Sequence, residues 1–211
     1  MKNKYLISIA IIIISFLMGT YFYGQVPDKI PTHWNAEGEA DGFSSKEFGL
    51  FFIPGISLVL FGLMIIFPKI DPTNNIIKFE KYYFNLVIIL LLFLLSLQIM
   101  TILWSLGNEI DVMYIVVPGI SVLLYYSGIM MENTERNWFA GIRTPWTMSS
   151  DKVWKKTHKL GSKLFKISAV LIFLSLILGV FDIWIMVVLL LGLVVFTFVY
   201  SYLEYKKEKS N

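Results

Sequence analysis

The chain has 211 residues, of which 56% are hydrophobic and 16% charged, and its formal net charge is +3. A mean hydropathy of +0.69 excludes an ordinary soluble domain and is typical of proteins whose mass lies mainly in membrane-spanning segments. Because the chain has no cysteine, disulfides, thiolate metal sites and cysteine nucleophiles are also excluded.

Six apolar segments predict an all-α, polytopic transmembrane helical bundle with both termini in the cytoplasm. Each segment is near the ~20 residues that cross a hydrocarbon core of about 30 Å. With this threading, 16 of the 18 Lys and Arg residues lie inside and only Lys29 and Lys46 outside, as the positive-inside rule requires. The segments cover residues 5–23, 49–67, 84–104, 114–131, 165–181 and 183–203.

The loops group the spans in pairs, which we interpret as three units. Residues 1–68 form an N-terminal two-span unit with a long outer loop, and residues 69–131 form a central two-span unit. Residues 132–211 combine a long inner loop and an interfacial helix with a C-terminal two-span hairpin.

The first outer loop, residues 24–47, reads VPDKIPTHWNAEGEADGFSSKE from Val26 onward. Its prolines restrict the backbone to extended conformations, and Asp41-Gly42 is a turn signal. A stiff loop of this kind suits docking of a ligand at the membrane surface. Anchoring of the loop in the lipid headgroups by its tryptophan is the alternative. The side chains in question are those of His33, Trp34 and Asn35.

A short repeat links spans two and four. Residues 53–57 read IPGIS and residues 117–121 read VPGIS, so that Pro54-Gly55 and Pro118-Gly119 occupy equivalent places near the outer ends of these spans. Proline removes a backbone hydrogen bond and glycine permits close approach of a neighbour. Two kinked helices beside an outward-facing cavity are one interpretation, and a chance match of ordinary membrane-helix residues is the other.

The spans carry no Asp, Glu, Lys, Arg or His near mid-bilayer, where Asn85 and Gln98 are the strongest polar groups. Ion-coupled transporters usually place an ionisable residue there, so this pattern disfavours a pump. The two histidines, His33 and His158, are predicted to lie on opposite membrane faces. We therefore predict no metal site, no cofactor and no catalytic residue.

The first half of the inner loop concentrates Arg, Pro, Trp and hydroxyl groups between Gly141 and Thr147. This composition suits a defined turn whose Arg143 is held against backbone carbonyls, or a docking surface for a cytoplasmic partner. A positive-inside loop with interfacial tryptophans is a third interpretation. All three stay open at this point.

The second half of the inner loop predicts a short amphipathic helix. Ser149 or Ser150 is a suitable N-cap, and Asp151 in the first turn complements the helix dipole. Apolar residues recur near helical spacing beside five lysines, so we expect this helix to lie in the inner interface against anionic lipid headgroups. Direct nucleic-acid binding is not expected of lysines held against a membrane.

Both loops resemble known motifs. IPTHWNAEGEADGF is similar to the outer-loop signature of a small bacterial membrane domain of unknown function, and NWFAGIRTPWTMSSDKVWKKTHKLG resembles the core motif of the SdpI family. In this order and in a six-span chain of this length, they resemble SdpI-type immunity proteins over essentially the whole sequence. The resemblance gives an outer, toxin-facing motif of Pro31, His33, Trp34, Asn35, Gly38, Asp41 and Gly42. It gives an inner, partner-facing motif of Asn137, Gly141, Arg143, Thr144, Pro145, Trp146, Thr147, Trp154, His158 and Gly161.

The resemblance implies protection of a bacterium, at its plasma membrane, against a secreted killing peptide. For the best-known member it also implies a second role, in which a cytoplasmic autorepressor is held at the membrane in response to the toxin. The expected partners are membrane lipids, the peptide and such a repressor. A small transporter or exporter of the peptide or another amphiphile is the alternative, and a lipid-interacting scaffold is a third hypothesis.

Overall fold

The computed structural model describes residues 2–210. Within this range the helices are α1 (Lys2–Phe22), α2 (Lys46–Ile70), α3 (Glu80–Ser105), α4 (Met113–Asn133), α5 (Pro145–Ser149), α6 (Asp151–Ile177) and α7 (Ile183–Lys209). Two strands, β1 (Lys29–Trp34) and β2 (Ala40–Ser45), lie between α1 and α2, and a 3₁₀ turn (Ile76–Phe79) precedes α3.

Six of these helices are long and apolar enough to cross a membrane, namely all except the five-residue α5. Each of them overlaps one of the six apolar segments, which confirms the all-α polytopic fold with six spans. The chain divides into two compact units, Met1–Met64 with Val87–Gly119 and Ile65–Leu86 with Ile120–Asn211. The division into three pairs of spans stays a prediction.

Helix α6 departs from the expectation of a separate interfacial helix. It runs without interruption for 27 residues from its cap at Ser150, because no proline breaks it. Its buried residues lie on one face, which packs against other parts of the protein instead of lipid. The expected cap and the expected acidic first turn are both present, since the Ser150 hydroxyl accepts a hydrogen bond from Val153 N and Asp151 follows.

The outer loop is a β-hairpin and not an irregular loop. Strands β1 and β2 pair antiparallel, with His33 opposite Gly42 and Pro31 opposite Phe43. Register irregularities flank His33, and bulges of this kind twist a hairpin locally. The extended conformation that the prolines predict is therefore present, but its paired partner strand was not foreseen.

The hairpin is attached to its own unit through Ile30. This side chain is fully buried in a cluster with Val26, Leu50 and Ile102, which come from the turn after α1, from α2 and from α3. Gly49 makes the approach possible, because a Cβ atom there would lie 2.5 Å from Ile30 Cδ1. Burial of an isoleucine side chain contributes about 2 kcal/mol, so the hairpin has a fixed position on these helix ends.

A buried glutamine joins α1, α2 and α3 in the same unit. Gln98 is fully buried and donates from Nε2 to the carbonyls of Ser15 (2.9 Å) and Leu50 (3.1 Å), while its Oε1 accepts from the Ser15 hydroxyl. The helical partner of the Leu50 carbonyl would be the N–H of residue 54, which is proline and has none. Gln98 therefore satisfies the carbonyl that Pro54 leaves unpaired.

The two Pro-Gly pairs of the repeat differ in their surroundings. At Gly119 a Cβ atom would collide with the ring of Phe93, so α3 and α4 approach closely there. At Gly55 an added Cβ would meet no atom within 4 Å. Pro54 and Pro118 both lie inside helices, and the kinks and the cavity that the repeat suggests stay predictions.

In the second unit, α5 and α6 pack on α7. The Trp146 ring lies 4.9 Å from Phe198 and 5.0 Å from Tyr202, measured between centroids. Polar pairs extend this contact along α7: Thr144 with Ser201 (2.9 Å), Ser150 with Glu208 (2.6 Å) and Lys156 with Glu204 (2.5 Å).

Candidate functional site

The hairpin turn is organised by Asn35. Its side-chain oxygen accepts from Glu37 N (3.1 Å) and Glu39 N (2.8 Å), and its own N–H donates to the Glu39 carbonyl (2.9 Å). Gly38 supplies the positive φ of 84° in this turn, a conformation that glycine adopts without steric cost. It also lies against Asp111 of the loop before α4, where a Cβ atom would be 2.6 Å from the carboxylate.

The exposed face of the hairpin presents a histidine beside a carboxylate. His33 Nδ1 and Asp41 Oδ1 are 2.5 Å apart, and 71% and 46% of their side-chain surfaces are exposed. Gly42 permits this arrangement, because a Cβ there would lie 2.7 Å from that of His33. The sequence-predicted residues of the outer motif are thus brought together on one small hairpin.

Trp34 is half-buried, and its indole N–H is enclosed without a hydrogen-bond partner among the described residues. Large apolar side chains are exposed on and just after the hairpin instead. Phe43, Phe48 and Phe52 are each about half exposed, and the rings of the last two stack at 4.8 Å.

At the base of the hairpin, the Tyr23 hydroxyl donates to Glu47 (2.6 Å), which raises the pKa of Tyr23.

The inner motif begins with a loop closed by Asn137, which is fully buried. Its amide nitrogen donates to the carbonyls of Glu135 and Ala140, both at 2.9 Å. Its oxygen accepts from Phe139 N (2.9 Å) and Ala140 N (2.7 Å). All four hydrogen-bonding positions of this amide are therefore used inside the loop.

Trp154 and His158 fix the next part of the motif to α6. They lie one turn apart, are each about 1% exposed, and stack with ring centroids 3.9 Å apart. His158 Nδ1 bonds to the Trp154 carbonyl (2.9 Å) and Nε2 accepts from Ile142 N (2.9 Å), an arrangement that requires the neutral tautomer protonated at Nδ1. Gly141, at φ 112°, passes so close that a Cβ atom would collide with Nε2. His158 is thus a structural residue of the motif.

The stretch from Arg143 to Thr147 forms the defined turn that its composition suggests. Arg143 donates to the Trp138 carbonyl, so the arginine is held against the backbone as expected. Thr144 and Thr147 form a reciprocal capping box at the start of α5, with Pro145 in the first turn. This is a favoured helix start, and it leaves Arg143 and Pro145 as the exposed members of the stretch.

Two further residues support the motif and were missed by the sequence reasoning. Arg136 pairs with Asp151 (2.8 Å) and donates to the Met148 carbonyl (2.7 Å), which joins the loop to both α5 and α6. Asp71, 2% exposed, accepts from Thr73 Oγ1 (2.7 Å) and from Trp138 N (3.4 Å). The sequence DPTNN after α2 signals a turn, but nothing in it indicates a partner 67 residues away.

Most of the residues assigned to the inner motif are buried, so few of them can touch a partner directly. Asn137, Thr144, Thr147, Trp154, His158 and Gly161 are all buried, and Trp146 is half-buried against α7. The accessible surface of the motif consists of Arg143 and Pro145 together with Trp138, which is 54% exposed. Trp138 was not among the sequence-predicted residues.

The fold is that of a multi-pass protein of the cell membrane. It has six candidate spans, a hairpin fixed to the helix ends and a hydrogen-bonded motif on α6. The chain is 34% identical to the immunity protein SdpI of Bacillus subtilis (strain 168) over 206 residues, which is 97% of each chain. A model of the SdpI/YfhL protein family matches residues 133–201, and a model of a domain of unknown function (DUF1648) matches residues 10–58. No solved structure matches the chain.

The chain therefore belongs to the SdpI/YfhL protein family. The resemblance of the two loops is confirmed, because each lies within one of the matched segments. Immunity is the function that this membership supports, and the transporter alternative is not favoured.

Proposed function

We propose that this protein protects the cell that carries it against a secreted, membrane-active peptide, and that it does so by binding and not by catalysis. The observation that carries the proposal is the 34% identity to an immunity protein along 97% of both chains. Such coverage includes both the hairpin and the α6 motif, so the resemblance is not confined to apolar spans that match through composition alone.

We further propose the topology with both termini in the cytoplasm. Its support is the charge count, with 16 of 18 basic residues on one side. Three spans, α2 to α4, separate the hairpin from the α6 motif along the chain. The hairpin then faces the side from which a secreted peptide arrives, and the α6 motif faces the cytoplasm.

The hairpin suits capture of an amphipathic, cationic peptide. Residues 24–47 contain five acidic and two basic residues, a formal charge of −3, and electrostatic attraction of this kind accelerates encounter. The half-exposed Phe43, Phe48 and Phe52 offer apolar contact beside these charges. Because Ile30 and Asn35 hold the hairpin in place, little conformational entropy is lost when the peptide binds.

A second role, recruitment of a cytoplasmic repressor, is favoured by the surface of the α6 motif. Trp138 is exposed although its backbone is fixed by Asp71 and Arg143. Tryptophan and arginine on a rigid segment are the residue types that dominate protein–protein interfaces. We propose that Trp138, Arg143 and Pro145 form this docking surface, while the buried residues of the motif maintain its shape.

The immunity function is tested in a toxin-sensitive strain that lacks its own immunity gene. Expression of this chain is expected to restore growth in the presence of the peptide, and killing at an unchanged peptide concentration would contradict the proposal. Binding of the peptide to purified protein is expected for direct neutralisation. Protection without such binding would favour export or an indirect effect on the bilayer.

The proposed signalling role predicts that some substitutions impair recruitment of the repressor without impairing protection. Trp138→Ala and Arg143→Ala should reduce recruitment of the repressor to membranes while protection is retained, because neither exposed side chain fills the protein interior. Trp146→Ala is the comparison, since removal of its packing on Phe198 and Tyr202 should impair protection and recruitment together. Membrane fractionation of tagged repressor measures recruitment, and unaltered recruitment by both surface variants would refute this docking surface.

A further inference from the structure

A groove runs along the surface shared by α4 and α6 in the second unit. At one end, a cavity of about 530 Å³ is lined by lysines of α6 and by the last residues of α4, including Glu132. Further along the same two helices, an apolar cavity of about 300 Å³ is lined by residues such as Val122, Tyr125, Phe173 and Leu174. The helices are in tight contact between the two cavities at Gly128, where a Cβ atom would lie 2.8 Å from the Ser162 carbonyl.

The two cavities lie on the same face of each helix. On α6, Lys159, Lys163 and Lys166 are followed by Val170 and Phe173, at the three- and four-residue spacing of one helix face. On α4, the residues of the apolar cavity precede Glu132 at intervals that keep the same face. The two cavities therefore lie in line along one face of the helix pair, the first with a charged lining and the second with an apolar lining.

The charged end carries uncompensated positive charge. Lys155, Lys159 and Lys163 line it, and none of them makes an ion pair among the described residues. Glu132 is occupied by Lys166 at 2.6 Å, so Glu135 is the one remaining carboxylate of the lining. Three lysines against one glutamate leave a formal charge of +2 in this end of the groove.

The spacing of the two ends matches one lipid leaflet. Helix α6 has 27 residues and is about 40 Å long, some 10 Å more than a hydrocarbon core of about 30 Å. Its lysine-rich first turns therefore lie at the headgroup level, with Lys163 able to extend its ammonium group to that level. Phe173 and Leu174 lie fourteen and fifteen residues beyond Lys159, the middle one of the three lysines, and so about 21–22 Å deeper. This distance is roughly half of the ~40–45 Å that a bilayer spans with its headgroups.

We propose that this groove binds an anionic phospholipid. Its phosphate lies among Lys155, Lys159 and Lys163, and one acyl chain lies in the apolar cavity against Val122, Phe173 and Leu174. Basic pockets between membrane helices are suited to anionic headgroups, and the apolar end distinguishes a lipid from a free phosphate ion. The site is separate from the hairpin, so lipid binding and peptide binding use different surfaces.

The proposal is tested by native mass spectrometry of the full chain in micelles that contain phosphatidylglycerol or phosphatidylcholine. The wild type is expected to retain phosphatidylglycerol in preference to phosphatidylcholine. The double variant Lys159→Gln/Lys163→Gln should lower that preference by about thirtyfold, since each basic residue near the surface contributes roughly 1 kcal/mol. The matched control Lys152→Gln/Lys206→Gln removes two exposed lysines outside the groove, which form no ion pair with any described residue, and should retain the preference.

The apolar end is tested separately. Val122 is 53% exposed, so Val122→Phe fills the groove without disturbing buried packing and should reduce retention of phosphatidylglycerol. Excess inorganic phosphate should not displace the lipid. Equal retention of the two lipids by the wild type, an unchanged preference in the Lys159/Lys163 variant, or displacement by phosphate would overturn the proposal. Loss of protection by Val122→Phe with unaltered lipid retention would also overturn it, in favour of the peptide as occupant.

Discussion

Alanine at position 141 is expected to lower the free energy of unfolding by about 3 kcal/mol, through a strained backbone conformation and a steric collision. Gly141 has a φ of 112°, and a Cβ atom there would collide with His158 Nε2. To relieve the collision, His158 would have to move away from Ile142 N, whose hydrogen bond fixes the motif on α6. Chemical unfolding of the purified protein in micelles measures the effect.

The control variant Gly107→Ala separates backbone strain from steric collision as causes of the expected loss of stability. Gly107 also has a positive φ, of 91°, but an added Cβ would meet no atom within 4 Å. Its replacement should cost only the conformational strain, about 1 kcal/mol. Equal destabilisation by the two substitutions would show that contact with His158 contributes nothing.

Replacement of Gln98 by methionine is expected to destabilise the protein by about 1–2 kcal/mol, because a buried carbonyl loses its hydrogen-bond donor. Ser15 can redirect its hydroxyl to its own helix. The Leu50 carbonyl has no such substitute, since residue 54 is proline. Unfolding in micelles is again the measurement. Ser96→Ala is the control, because the Ser96 hydroxyl donates to a carbonyl of its own helix, that of Phe93 (2.7 Å).

A double-mutant cycle gives this prediction a sharper form. Pro54→Ala restores an N–H group that can donate to the Leu50 carbonyl, so Gln98→Met should cost about 1 kcal/mol less in the Pro54→Ala background than in the wild type. Additive effects of the two substitutions would show that Gln98 does not compensate for the proline.

The number and order of the spans were predictable because membrane insertion depends on the summed hydropathy of about 20 neighbouring residues. The helix start at Ser150 was readable for a related reason, since a cap uses atoms within a few residues of itself. The lysines at 152–163 suggested a short surface helix separate from the next span, whereas α6 runs unbroken from Asp151 to Ile177. Those lysines occupy one face of α6, while Trp154 and His158 on the other face are buried in the protein.

The roles of the motif residues were less predictable. The composition of residues 141–147 indicates a defined turn, and Arg143 is held as that interpretation expects. The sequence does not reveal that the side chains of Asn137 and His158 form hydrogen bonds inside the protein and not with a partner. The outer loop was likewise recognised as stiff, but its pairing as a hairpin and the burial of Ile30 depend on β2, α2 and α3 together.

Hydropathy, charge and capping are properties of short segments, so the residues alone indicate how many membrane-spanning helices there are and where the capped start of α6 lies. Contacts between distant residues depend on which of many compatible neighbours the folded chain brings together. Three features were therefore decided only by tertiary structure. They are the hydrogen bond from Gln98 to the carbonyl that Pro54 leaves unpaired, the contact of Asp71 with Trp138, and the groove with a lysine-lined and an apolar cavity. Each of these features brings together two segments that are distant in the sequence, and no pattern within either segment indicates the other.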